Sequence, residues 1–60
     1  MENAPSSPET LVGRFHRFGA AGVAYEVLEE VDDQQVKIRV VETGETLTYS
    51  RAYLASDPIA

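Results

Sequence analysis

The sequence predicts an all-β fold: a small SH3-like barrel, or a twisted antiparallel meander of about four strands with a short C-terminal helical turn. Three stretches, 23–31, 36–42 and 45–49, carry apolar side chains at alternate positions. This period of two is typical of strands that bury one face. Short polar or glycine-containing segments separate the stretches, which is the pattern of hairpin turns.

The chain of 60 residues predicts one domain. Residues 1–10 contain two prolines and two serines and, after Met1, no large apolar side chain, so we expect a disordered arm. The β domain is predicted at 11–57 and a tail at 58–60. Such a short chain buries only about 60% of its surface on folding. We therefore expect modest stability unless a second copy completes the core by edge pairing.

The first candidate strand covers residues 11–18. Phe15 and Phe18 differ by three positions, so they lie on opposite faces of an ideal strand. Either a bulge separates them or the strand ends early. The segment 19–22 is predicted as a turn, because it contains two glycines. Its spacing does not match a phosphate-binding loop.

The inward-facing positions are odd-numbered in the first strand of the first hairpin and even-numbered in the second. This numbering predicts which residues pair. With a turn at 32–35, Val27 lies opposite Val40 and both side chains face the core. Glu29 breaks this pattern, because alternation turns its carboxylate inward.

The second hairpin is predicted to close through a two-residue turn at Thr43-Gly44, with Gly44 at positive φ. This length places Val40 opposite Leu47. Ser50 then caps a short helix, which ends at Asp57 because Pro58 follows it.

Composition excludes several kinds of site. The chain has no cysteine, so disulfides and thiolate metal sites are excluded. His16 is the only histidine, so we predict no metal site and no cofactor. No apolar run approaches the ~18–20 residues of a membrane span, and no secretory signal is evident, so we expect a cytoplasmic protein without membrane contact. No catalytic motif is found, and we predict that the protein is not an enzyme.

The charge balance and the first hairpin favour a protein partner. Ten acidic and five basic residues give a net charge of −5, which argues against general affinity for nucleic acid. Glu26, Glu30, Asp32 and Asp33 gather at the hairpin. We predict a non-enzymatic protein-binding module, for example an antitoxin or phage-type inhibitor that neutralises a protein by occupying a basic site with this hairpin.

Two alternatives stay open. Arg14, Phe15, Arg17 and Phe18 interleave basic and aromatic side chains, a composition found in small barrels that bind single-stranded nucleic acid. The other alternative is a structural protein that associates with itself, as a homodimer.

Turn and strand residues have a recognisable spacing: Val12-Gly13-Arg14-Phe15, Phe18-Gly19, Gly22, Tyr25-Glu26-Val27-Leu28, Val36-Lys37-Ile38, Glu42-Thr43-Gly44-Glu45, Tyr49 and Asp57-Pro58. In this spacing, over residues 13–58, the chain resembles a family of very small uncharacterised bacterial proteins, a domain of unknown function. Ser50 departs from the family pattern, where proline is expected. The resemblance implies a bacterial or phage cytoplasm. It implies no activity and transfers no catalytic residue.

Overall fold

A computed structural model describes residues 11–60. Four strands form one antiparallel sheet in sequential order, and a helix follows the last strand directly. The elements are β1 Phe15–Arg17, β2 Ala24–Glu30, β3 Gln35–Val40, β4 Thr46–Ser50 and α1 Arg51–Ser56. The predicted antiparallel meander with a C-terminal helical turn is confirmed. The arm predicted at 1–10 lies outside the described residues.

The sheet is not closed, so an SH3-like barrel is not confirmed. Among the described residues β4 pairs only with β3. The C-terminal end of the chain returns to β1 instead, through a single bridge between His16 and Ile59. The Arg17 N–H donates to the Pro58 carbonyl at 2.9 Å, and the Ala60 N–H donates to the Phe15 carbonyl at 3.1 Å. The segment predicted as a tail thus lies along the outer edge of β1.

The core lies on one face of the two central strands. Tyr25 and Val27 of β2 and Val36 and Ile38 of β3 are fully buried, and Leu54 of α1 covers them. Burial of each such side chain contributes roughly 1.5–3 kcal/mol to folding. Three partly buried side chains extend this core: Leu11, Phe18 and Tyr49.

The predicted register of the first hairpin is wrong by two positions. Val27 lies opposite Ile38, not Val40, and an irregularity between Val27 and Glu29 adds one residue to β2. The extra residue reverses the alternation that follows it. Glu29 therefore lies opposite Lys37 and is exposed, so the bulge removes the inward carboxylate that strict alternation predicted.

The predicted two-residue turn of the second hairpin is also wrong. The Val40 N–H donates to the Glu45 carbonyl at 2.8 Å, so four residues, 41–44, form the loop. Leu47 consequently lies opposite Ile38. The positive φ of Gly44 is confirmed, at 78°. Loops of two and four residues keep the same side chains on the inner face, so alternation could not distinguish between them.

The first predicted strand is shorter than expected, because only Phe15–Arg17 pair regularly with β2. The turn at 19–22 is confirmed, since the Phe18 N–H bonds the Val23 carbonyl at 3.1 Å. Gly22 is required there: a Cβ at this position would lie 1.9 Å from the Phe18 carbonyl oxygen.

Both predicted ends of the helix are confirmed. The Ser50 Oγ accepts the Ala52 N–H at 3.1 Å, and the helix stops before Asp57, whose backbone is extended. Pro58 excludes a helical conformation at Asp57. No helix within residues 11–60 is long and apolar enough to cross a membrane.

Candidate functional site

Asp57 is the centre of a polar cluster that joins distant parts of the chain. Its Oδ2 accepts hydrogen bonds from the Tyr25 hydroxyl at 2.6 Å and from the Tyr49 hydroxyl at 2.8 Å. Its Oδ1 accepts the Gly19 N–H at 3.2 Å. We call these four residues the Asp57 cluster. It connects β2, β4 and the first turn to the point where the chain leaves α1.

The proton affinities in the cluster follow from these bonds. Burial, and then the hydrogen bond to Asp57, raise the pKa of Tyr25, and the same causes raise the pKa of Tyr49 to about 12. Desolvation alone would raise the pKa of Asp57, but the tyrosine hydrogen bonds outweigh it and lower that pKa. The cluster is therefore an ionised carboxylate held by two neutral phenols, which suits a structural role.

His16 lies beside this cluster and is the buried polar residue of the core, with 6% exposure. Its ring stacks on Tyr25 with centroids 5.8 Å apart. Neither ring nitrogen has a hydrogen-bond partner among the described residues, and both are covered. His16 also lines a cleft of about 480 Å³ with Arg14, Leu54 and Ile59. Because both nitrogens are covered, the His16 ring cannot act as a base on a ligand in this cleft in this conformation.

Backbone hydrogen bonds at the two ends of β4 show which of its groups face β3. The Val40 N–H donates to the Glu45 carbonyl at 2.8 Å, and the Arg51 N–H donates to the Gln34 carbonyl at 2.9 Å. In an antiparallel ladder, successive residues direct their N–H and C=O groups to opposite sides. The odd-numbered residues from 45 to 51 therefore bond to β3.

The intervening residues of β4 direct their backbone groups away from the sheet. The N–H and C=O groups of Thr46 and Thr48 have no hydrogen-bond partner among residues 11–60. β4 is also the only one of the four strands that contains no charged residue. Charges, prolines and bulges are the usual protection of an exposed edge, and β4 has none of them.

Apolar side chains lie next to this free edge. Leu47 is 38% exposed, and Tyr53, in the first turn of α1, is 66% exposed. The Tyr53 ring packs near the ring of the half-buried Tyr49, with centroids 6.0 Å apart. We call the backbone edge of Thr46 and Thr48, with these three side chains, the β4 surface. It offers both hydrogen-bonding groups and apolar contact area to an extended chain.

The predicted acidic residues of the first hairpin largely have internal partners. Glu26 accepts a hydrogen bond from Arg39, and Glu30 accepts one from Arg51, each at 2.6 Å. The bond from Arg51 lowers the pKa of Glu30. Asp32 accepts the N–H groups of the two glutamines that follow Asp33, at 2.8 and 2.9 Å. Of the four predicted residues, Asp33 alone has no such bond within the described part of the chain.

The residues predicted for nucleic-acid contact divide between two faces. Arg14, Phe15 and Arg17 are exposed, Phe15 at 42%. Phe18 is half-buried and packs on Tyr25, with ring centroids 4.4 Å apart. The structure thus does not bring the two phenylalanines together as one stacking surface.

Sequence reasoning missed both the Asp57 cluster and the β4 surface. An aspartate between a helix end and a proline, with two tyrosines on predicted inner positions, was a usable signal for the first. For the β4 surface, the absence of charged residues from β4 was a signal. The direction of its backbone groups depends on the loop length, which alternation leaves open.

The model of a family of unknown function, DUF5397, matches residues 3–60 of the chain. No curated protein matches it.

Proposed function

The chain belongs to the DUF5397 family, whose function is unknown, and from its geometry we propose that it is a non-enzymatic protein-binding module that acts through the β4 surface. One observation carries the proposal: the backbone groups of Thr46 and Thr48 face outward from an uncharged edge strand without partners among the described residues. An extended segment of another protein can pair with such an edge and continue the sheet.

The side chains beside the edge support this binding mode. Backbone hydrogen bonds supply affinity in strand addition, whereas side-chain contacts supply specificity. Leu47 and Tyr53 are exposed next to the edge, and aromatic side chains often contribute strongly at interfaces. The partner segment should be neutral or basic, because the chain carries a net charge of −5.

Neutralisation of a target, as by an antitoxin or a phage-type inhibitor, is one role that such a module can have. We place the contact at β4 rather than at the acidic hairpin. Ion pairs already occupy Glu26 and Glu30. Asp32 caps its own turn, so these carboxylates would have to exchange partners before they could bind a target.

Substitution of Thr48 tests the proposal directly. Thr48→Pro removes an N–H that points away from β3, so it should spare the ladder while it prevents strand addition. Thr48→Val keeps the N–H and is the matched control. Tagged full-length chains are used to capture proteins from a lysate of cells that produce the protein. We expect the wild type and Thr48→Val to retain the same partner and Thr48→Pro to lose it.

A second comparison locates the contact. A variant in which Glu26, Glu30, Asp32 and Asp33 are replaced by the corresponding amides should retain the partner, provided circular dichroism shows the fold intact. Retention by Thr48→Pro together with loss by the amide variant would reject the β4 surface and assign binding to the acidic hairpin.

A further inference from the structure

We infer that the partner at β4 is a second copy of the chain, and that two copies pair their β4 strands antiparallel about a two-fold axis at Thr48. The inference rests on the proposed use of the β4 surface and names its occupant. Its support comes from hydrogen-bond direction, from side-chain matching and from charge.

Hydrogen-bond direction restricts the register, and the side chains select among the registers that it allows. A two-fold axis perpendicular to the sheet keeps each face of one copy continuous with the same face of the other, so paired residues have the same parity. Only residues whose backbone groups point outward can form the hydrogen-bonded pairs. Centred on Thr48, the pairing lets each Thr48 exchange both of its bonds with Thr48 of the other copy. It also sets Thr46 opposite Ser50 of that copy.

The side chains match in this register. On the inner face, Leu47 lies opposite Tyr49 of the other copy, which pairs two apolar side chains. On the outer face, Thr48 meets its own copy, and cross-strand threonine pairs stabilise sheets. Leu47, exposed in the single chain, would thereby gain an apolar neighbour.

Of the two outer strands, β4 is the uncharged one, and β1 is already paired with the C-terminal segment. Two copies that each carry a net charge of −5 repel one another, so an interface between them needs a surface without acidic groups. β4 is the strand that has no charge. At its ends the register sets Glu45 opposite Arg51 of the other copy, so no acidic residue faces another there, although the Arg51 guanidinium already bonds Glu30 of its own chain.

The self-pairing of Thr48 gives a test that no other partner would satisfy. In Thr48→Glu a carboxylate faces a carboxylate across the axis, and in Thr48→Lys an ammonium faces an ammonium. Like charges directly opposite each other oppose pairing. Each variant alone should therefore dissociate at least about tenfold more readily than the wild type. An equimolar mixture of the two places opposite charges together and should restore the dimer.

Sedimentation of the full chain measures the association from about 10 µM to about 1 mM, because the contact is small and the dimer should dissociate on dilution. The matched controls are Ala21→Glu and Ala21→Lys, which make the same charge changes in the exposed turn between β1 and β2. We expect both controls to associate like the wild type. The fold of each variant is checked by circular dichroism.

The outcomes separate this inference from the proposed function. The inference that the partner is a second copy is overturned if the wild type is monomeric at about 1 mM. It is also overturned if the mixture of Thr48→Glu and Thr48→Lys stays monomeric. If that same monomer still loses a captured protein on Thr48→Pro substitution, strand addition at β4 stands with a different partner. A dimer that Thr48→Glu and Thr48→Lys leave unchanged would assign the association to another surface.

Discussion

The two outer strands of the sheet differ in what covers their edges. The outward groups of β1 are bonded to the C-terminal segment: Arg17 donates to Pro58 at 2.9 Å, and Phe15 accepts from Ala60 at 3.1 Å. The equivalent groups of β4, on Thr46 and Thr48, have no partner within residues 11–60. The same sheet therefore presents one covered edge and one open edge.

This difference shows that the residues after α1 cover one edge of the sheet and not the other. After α1 the polypeptide could have run beside β4, the strand from which it had just come. It crosses the core instead and pairs with β1, and Asp57 fixes the crossing by accepting bonds from Tyr25, Tyr49 and Gly19. An unprotected edge is a risk of association, and its presence opposite a covered one supports the proposal that a partner pairs with it.

Asp57→Ala should give the largest change, because Asp57 holds the covered edge in place. Its loss leaves the buried Tyr25 hydroxyl without an acceptor, and hydrogen bonds to a charged group contribute about 1.5–3 kcal/mol each. We expect the free energy of unfolding to fall by about 3 kcal/mol in urea titrations. Asp33→Ala, at an exposed aspartate, is the control and should change it by less than about 0.5 kcal/mol.

The outcome of the Asp57→Ala substitution shows whether the Asp57 cluster holds the C-terminal segment against β1. If Asp57→Ala unfolds at the same urea concentration as the wild type, the cluster does not secure the C-terminal segment, and the comparison of the edges loses its physical basis. A double variant with Tyr25→Phe should lose less than the sum of the single changes, because the two residues share one hydrogen bond.

Stability should depend on pH at both extremes through the Asp57 cluster. The pKa of Tyr49 is raised from 10.0 to about 12, so its contribution is complete below about pH 10 and is lost as the pH rises towards about 12. The pKa of Asp57 is lowered from 3.8. Its contribution is complete above that value and is lost as the pH falls through the lower pKa of the folded state.

Tyr49→Phe isolates the alkaline effect. The variant keeps the ring but cannot ionise, so its unfolding free energy should fall less steeply between about pH 10 and 12 than that of the wild type, by about 1–2 kcal/mol over the interval. Parallel curves for the two proteins would show that the Tyr49 hydroxyl does not contribute through Asp57.

The sequence predicted the parts of this fold that depend on side-chain alternation and capping. The strands, the inner positions of β2 before its bulge and of β3, and the helix between the caps Ser50 and Asp57 all follow from local rules. Register did not follow, because a bulge before Glu29 and a four-residue loop both change pairing without changing the apolar pattern. The open edge depends on that register, and the Asp57 cluster depends on contacts between residues as far as 38 positions apart. Local spacing can single out the residues of both features, but it does not give their contacts.

Removal of Ile59 and Ala60 should give the smallest effect and the most direct comparison of the edges. In the intact protein, at concentrations too low for association, the Arg17 amide should exchange hydrogen slowly and the Thr48 amide rapidly, because only the first is bonded. Without the last two residues, the loss of the Ala60 bond and of the Ile59 bridge should cost about 1 kcal/mol. The Arg17 amide should then exchange faster. The Phe18 amide is the control, because it bonds Val23 on the other side of β1, and the ratio of its exchange rate to that of the core amides should not change. Equal exchange at Arg17 and Thr48 in the intact chain would mean that the C-terminal segment does not cover its edge, and that the two edges are alike.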